Sequence, residues 1–191
     1  LWDETGILDF YHLAALLFKG ELEAIPPRTH PLLALPFRAP RILFEMAKSA
    51  GHSAVGFAYT PSGEGVDDAR REGGGRFYLF DGVRAVLWGL GLLLQKGLSC
   101  AGALEALPSF TVLESTFDCA PKEKLNCLLS KDLAPFGEGM GRAERGGFVR
   151  LRADERRGLH LMVEAAADAD ARLLLQKAKK ELEARKRSSL E

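Results

Sequence analysis

The sequence holds little from which a covalent or metal framework could be built. Its three cysteines, Cys100, Cys119 and Cys127, are odd in number and show no Cys-x-x-Cys spacing. Buried thiols in a reducing compartment, and hence a cytoplasmic protein, are expected over a disulfide scaffold or a zinc site. The four histidines (His12, His30, His52 and His160) form no His-x-x-x-His or His-Glu-x-x-His pair, so no metalloenzyme motif is present. Net charge is lacking as well. Lys plus Arg and Asp plus Glu each total 26, which leaves no global field to gather nucleic acid or an acidic membrane. The longest apolar run, "AVLWGLGLLL" from Ala85 to Leu94, is too short to span a bilayer and reads as a buried helix. The glycine clusters Gly73–Gly75 and Gly137–Gly141 lack the strand-to-helix setting and the GK[ST] of a phosphate loop, and read as turns. The chain opens without Met and ends in "SSLE", so both ends are expected to be boundaries of a piece cut from something longer.

What is present suits a globular chain of one large or two small domains: 191 residues, 47% of them hydrophobic. "LDFYHLAALLFKGEL" places Phe10, Leu13, Leu16 and Leu17 on one helical face behind Asp9 as N-cap. "LLAL" between Pro31 and Pro36 suits a short strand, and "RILFEMAKSAG" a helix opened by Pro40 and closed at Gly51. "SAVGFAYT" and "RFYLF" read as strands around a polar, glycine-rich loop. A helix follows from Asp81 to Lys96 with Gly97 as its C-cap, then a short one, "SCAGALEAL", that stops at Pro108. Beyond Ser109 the rhythm changes to a strand "FTVLESTF", a helix "PKEKLNCLLSKDL", strands "FVRLR" and "LHLMVEA", and a helix from Asp168 to about Arg187. That last helix carries acids at its start, bases at its end, and a stripe of Leu174, Leu175, Ala178 and Leu182. The fold class expected is therefore α/β. A mixed-sheet α/β domain over residues 1–109 is followed by a small α+β domain, β-α-β-β-α, over residues 110–191.

The chemistry-bearing stretch is "RLRADERRGLHLMVEA". Phe148, Arg150 and Arg152 share one face of their strand, and His160 points away from Leu159, Leu161 and Val163. The loop "ADERRG" has two readings. Arg156 and Arg157 can grip an anion through bidentate hydrogen bonds; equally, a solvated hairpin tip can carry mixed charges that pair weakly. Arg142 to Arg157 holds six arginines against three acids. Only Phe148 is interleaved among them, so a partner-protein surface explains them as well as a nucleic-acid face, and nucleic acid is not the expected partner.

The order of segments resembles the third and fourth domains of the α-D-phosphohexomutases, the phosphoglucomutases and phosphomannomutases. "LWDETGILDFYHLAALLF" is similar to the passage after that family's metal loop, where Asp-Glu-x-Gly precedes a helix. "RFYLFDGVRAVLWGLGLLLQKGLSCAGALEALPSF" resembles its Asp-Gly-opened helix and Leu-Pro exit. "GGFVRLRADERRGLHLMVEAAADADARLLLQKAKKEL" resembles its last hairpin and helix. The resemblance implies a phosphosugar ligand and an isomerase that moves a phosphoryl group within the sugar, in which these two domains orient substrate. Neither the phosphoserine loop nor the three-aspartate magnesium loop of the family has a match here. This chain alone is thus expected to hold no cofactor and to catalyse nothing; magnesium and the phosphoryl donor would come with upstream domains, its expected partners. In place of the family's Gly-Glu-x-Ser-Gly-His, "SGEGVDD" keeps Gly63 and Glu64 but has Val66, Asp67 and Asp68. Glu64 is then either a sugar-hydroxyl ligand or part of a solvated acidic loop. In place of Arg-Pro-Ser-Gly-Thr-Glu-Pro, "RADERRG" keeps Arg152 as the phosphate ligand, with Arg156 and Arg157 as helpers, but offers no hydroxyl. The alternative implied by these departures is a non-catalytic protein-interaction module on the same scaffold.

Overall fold

Two compact units, Leu1–Ser109 and Phe110–Glu191, make up the chain. The structure, a computed structural model, describes residues 1–36, 39–57, 82–120, 127–128, 132–136, 139–154 and 158–188.

The first unit begins with a hairpin of β1 (Trp2–Asp3) and β2 (Gly6–Ile7). Asp3 Oδ1 accepts hydrogen bonds from the Thr5 amide (2.8 Å) and hydroxyl (2.6 Å) and the Gly6 amide (3.1 Å), which closes the turn. Its other oxygen accepts from the Cys100 amide at 2.8 Å, and Thr5 Oγ1 accepts from the Ala101 amide at 3.2 Å. Ser99 Oγ accepts from the Gly102 amide at 3.2 Å. The first three amides of the Cys100–Glu105 helix, which have no partner within their own helix, are thus each met by a side-chain oxygen.

Helix α1 (Phe10–Ala24) starts at Asp9, whose side chain accepts from the His12 amide, and it buries Leu13, Leu16, Leu17 and Phe18. Strands β3 (Leu32–Pro36) and β4 (Ser53–Phe57) pair in parallel, joined across helix α2 (Arg41–Ser49). Helix α2 ends where Gly51 takes a positive φ of 82°. Helix α3 (Gly82–Lys96) packs on α1 through Ala85, Gly89 and Leu93. A methyl group on Gly89 would stand 2.4 Å from Leu13 Cδ1, so the missing side chain is what lets the two helices approach. The Cys100–Glu105 helix is α4.

Two features of this unit differ from a fully buried reading. Phe10 lies on the same face of α1 as Leu13 and Leu17 but, at the first residue of the helix, is 43% exposed. Helix α3 is not buried all round: Val83, Leu87, Trp88, Leu90 and Leu94 are exposed. An apolar run cannot say which of its faces finds a partner, and here the small-residue stripe does. The strand "RFYLF" and the polar loop before it lie outside the described residues.

The second unit is a five-stranded antiparallel sheet in the order β5-β9-β8-β7-β6. The strands are β5 (Thr111–Phe117), β6 (Ala134–Phe136), β7 (Gly139–Glu144), β8 (Gly147–Asp154) and β9 (Gly158–Ala165). Helix α5 (Asp168–Ser188) covers one face, setting Ala171, Leu174, Ala178 and Leu182 in a core with Val149, Leu151, Leu159, Leu161 and Val163. The expected β-α-β-β-α order omitted β6 and β7. The cluster Gly137–Gly141 is not simply a turn, because Gly139–Gly141 lie within β7. Pairing with β8 outweighs the poor strand propensity of glycine. Of the expected "PKEKLNCLLSKDL" helix, Cys127 and Leu128 are described and are helical.

Charge fastens the same face. Arg142 of β7 pairs with Asp132, with Glu144 (2.8 Å) and with Glu181 of α5. Lys177 of α5 reaches Glu144 at 2.7 Å, and Arg185 reaches Asp132 at 2.9 Å. The Lys177 hydrogen bond, aided by the charge of Arg142, holds the Glu144 carboxyl below its usual range.

The Thr5 hydroxyl, followed by the Cys100 amide, holds the Asp3 carboxyl far below the ordinary carboxylate range. A depressed acid stabilises the fold above its unfolded pKa of about 4. That contribution is lost only as pH falls toward the lower folded value. Protection of the Cys100 and Ala101 amides, corrected for intrinsic exchange, should therefore persist as pH drops through about 4. Asp3→Asn, which sets an amide donor against backbone donors, should lower that protection roughly fivefold at neutral pH. Unchanged exchange in the variant would show that the clasp does not hold the helix.

Candidate functional site

Strand alternation gives the sheet of the second unit a second face, turned away from α5. The register sets its rows. Arg152 of β8 lies opposite His160 of β9, and His160 opposite Thr116 of β5. The next row is Arg150, Met162 and Glu114, and the one beyond is Phe148, Glu164 and Val112. In the inner rows Arg150 is only 3% exposed and Glu164 8%. The outer row stays accessible: Arg152 and His160 are half-buried and Thr116 is exposed. His160 Nε2 lies 3.6 Å from Glu114 Oε1.

Backbone crowding shapes the end of the β8–β9 hairpin at Asp154 and Gly158. Gly158, with φ 127°, starts β9, and a methyl group there would stand 2.1 Å from the Phe117 carbonyl oxygen and 3.0 Å from the Cys119 nitrogen. The chain leaving β5 thus crosses directly over the hairpin arm, and only glycine permits it. From the helix side, Lys186 Nζ donates to the Asp118 carbonyl at 3.0 Å and stands 5.9 Å from the Phe117 ring centroid. Residues 117–119 are held from both directions beside the Arg152 row.

Of the residues singled out in the sequence, Arg152 is placed near the end of β8 on the face turned away from α5, as the alternation implied. Arg156, Arg157 and Glu64 lie outside the described residues, so no meeting of these residues with Arg152 is described. The arginines of the 142–157 stretch do not form one cationic face. Arg142 is on the α5 side among three carboxylates, while Arg150 and Arg152 are on the other. Sequence reading missed Thr116. The signal was there: Phe117 ends an alternating strand as its core residue, which turns Thr116 to the opposite face.

The first unit has a groove of about 720 Å³ between α1, α2 and residues 106–108, floored by Leu22, Ile42, Met46 and Leu107. Its volume suits a small molecule. Its rim charges, however, are engaged already: Glu23 pairs with Lys19 and Lys96, and Glu45 with Arg41. With carboxylates prominent at its edge, this groove is poorly matched to an anion. Among the described residues no three His, Cys, Asp or Glu side chains converge as a metal site, and no helix is long and apolar enough to cross a membrane.

Comparison with solved structures bears on this arrangement. The chain is similar over 95% of its length to 44% of a phosphoglucomutase/phosphomannomutase family protein from Burkholderia thailandensis, with a TM-score of 0.61 and 16% identity. Over 97% of its length it is similar to 46% of the N-acetylphosphoglucosamine mutase of Aspergillus fumigatus in complex with GlcNAc-6P and magnesium, with a TM-score of 0.57 and 11% identity. The likeness is one of fold. The chain spans less than half the length of these proteins. No family model and no curated protein matches its sequence.

If Gly158 is the pivot of the hairpin arm, Gly158→Ala should destabilise the second unit by about 2–4 kcal/mol, combining strain with overpacking. Gly146→Ala, at φ 88° but with open space around it, should cost only about 1 kcal/mol. Both tryptophans and all three tyrosines lie in the first unit. Amide exchange across β8 and β9 is therefore the suitable measure, and equal losses in the two variants would count against the crossing.

Proposed function

We propose that this chain is the C-terminal portion, third and fourth domains, of a phosphohexomutase-like protein, and that it helps bind and orient a phosphosugar for phosphoryl transfer within the sugar. The observation that supports this reading most is the fold likeness, which runs across both units and not through one of them alone. In this reading Arg152 binds the substrate phosphate at the face of the sheet turned away from α5, Arg156 and Arg157 assist from the turn, and Glu64 accepts from sugar hydroxyls. The reaction's phosphoryl donor and magnesium belong to upstream domains. Among the described residues no set of His, Cys, Asp or Glu side chains converges that could hold the ion. The activity is that of an isomerase assembled from the longer chain, and its setting is the cytoplasm, in keeping with three cysteines that show no Cys-x-x-Cys spacing.

A second reading, a protein-interaction module on the same scaffold, is favoured by the exposed apolar stripe of α3, where Val83 is 74% and Leu94 82% exposed. The parent reading frame separates the two. A serine loop and a three-aspartate loop upstream favour the enzyme, and a parent without them favours the module.

Titration calorimetry of glucose 1-phosphate, mannose 1-phosphate and glucosamine phosphates into this chain tests the leading reading. At least one should bind, with an affinity that falls about tenfold or more in Arg152→Gln, as expected for loss of a charged hydrogen bond. Absence of heat with every phosphosugar, here and in the full-length parent, removes the proposal.

A further inference from the structure

We propose that Arg152, His160 and Thr116 act together as an oxyanion-binding row, so that the hydroxyl missing from the hairpin loop is supplied by the neighbouring strand β5. The inference rests on the reading of Arg152 as a phosphate ligand and extends it to two residues on other strands. The register puts the three side by side on the face turned away from α5, Arg152 against His160 and His160 against Thr116. Side chains directly opposite one another across antiparallel strands have Cβ atoms about 5 Å apart. One tetrahedral oxyanion can therefore touch two neighbours of the row at once.

The three bring complementary donors. A guanidinium offers a planar fork, an imidazole an N–H, and a threonine a hydroxyl that rotates to suit its acceptor. The stretch "ADERRG" sets two acids against two arginines and contains no hydroxyl. The Glu114 carboxylate stands 3.6 Å from His160 Nε2. Accessibility sets Arg152 and His160 apart from Arg150 and Met162 of the adjoining row, which are nearly inaccessible, while Thr116 and Glu114 on β5 are both exposed. The accessible row also lies beside residues 117–119, which Gly158 and Lys186 keep in place.

The test titrates inorganic phosphate and glucose 1-phosphate, separately, into the chain and into Arg152→Gln, His160→Gln, Thr116→Val and Thr116→Ser, following amide shifts. His160→Gln and Thr116→Val should each weaken both ligands about five- to tenfold, while Thr116→Ser, which keeps the hydroxyl, should bind as the parent does. Weakening in Arg152→Gln but in neither His160→Gln nor Thr116→Val overturns the row and leaves the phosphosugar reading standing. Glucose 1-phosphate binding no tighter than inorganic phosphate, with all three positions sensitive, supports the row and removes the sugar from the reading. Binding insensitive to every variant, or no binding of either ligand, overturns both.

Discussion

The register of β8 against β9 is the constraint on which the second unit depends. Val149 faces Val163 and Leu151 faces Leu161, which places four apolar side chains under α5. The same pairing turns Arg150, Arg152 and His160 to the other side. A slip of one residue would exchange Leu151 for Arg152 on the helix side and set a guanidinium among leucines. Core formation therefore determines where the cations stand, and no separate interaction is needed to aim Arg152 outward. The charged network at the other end of the sheet acts in the same sense. Arg142, as a β7 residue of opposite parity, is drawn to Glu181 and Lys177's partner Glu144 on the helix side, which secures β7 in the register that β8 demands.

The first unit solves a different problem. Its hairpin of two-residue strands is too small to be stable alone, and α4 is too short to form without help. Asp3 and Thr5 join the two, so that oxygens required by the turn also satisfy the first amides of the helix. Residues almost a hundred positions apart are thereby fixed before any ligand is considered. The approach of α1 to α3 at Gly89 has the same character. A single absent side chain decides which face of an apolar helix turns inward, and the larger residues Val83, Leu87 and Leu94 remain outside.

These particulars show what could be read beforehand and what could not. Helices α1, α2 and α5 announce themselves by Asp9, Pro40 with Gly51, and the acid-to-base polarity of α5, because caps and dipoles are local. The face that carries Arg152 and His160 also follows from alternation alone. Strands β6 and β7 did not announce themselves, since a glycine-rich segment becomes a strand only when β8 offers its edge, and that is a tertiary fact. The outward stripe of α3 was equally hidden, because periodicity in an apolar helix gives no inside or outside until Gly89 meets Leu13. Thr116 escaped for a third reason: a lone threonine on a strand carries no motif, and its neighbours across the sheet are remote in sequence.

Donor groups that are missing from a loop can be supplied across a sheet. Read along the chain, "ADERRG" contains no hydroxyl that could wrap a phosphate. Read across the sheet, the position beside Arg152 is occupied by His160 and the next by Thr116, so donor chemistry absent from the loop is present one and two strands away. A loop and a row of adjacent strands are interchangeable sources of donors for an oxyanion, because binding depends on where N–H and O–H groups converge and not on their order in the chain. Sequence motifs record only the first kind of source. Departure from a motif is therefore an argument against a ligand only after the neighbouring strands have been searched for the groups that the loop lacks.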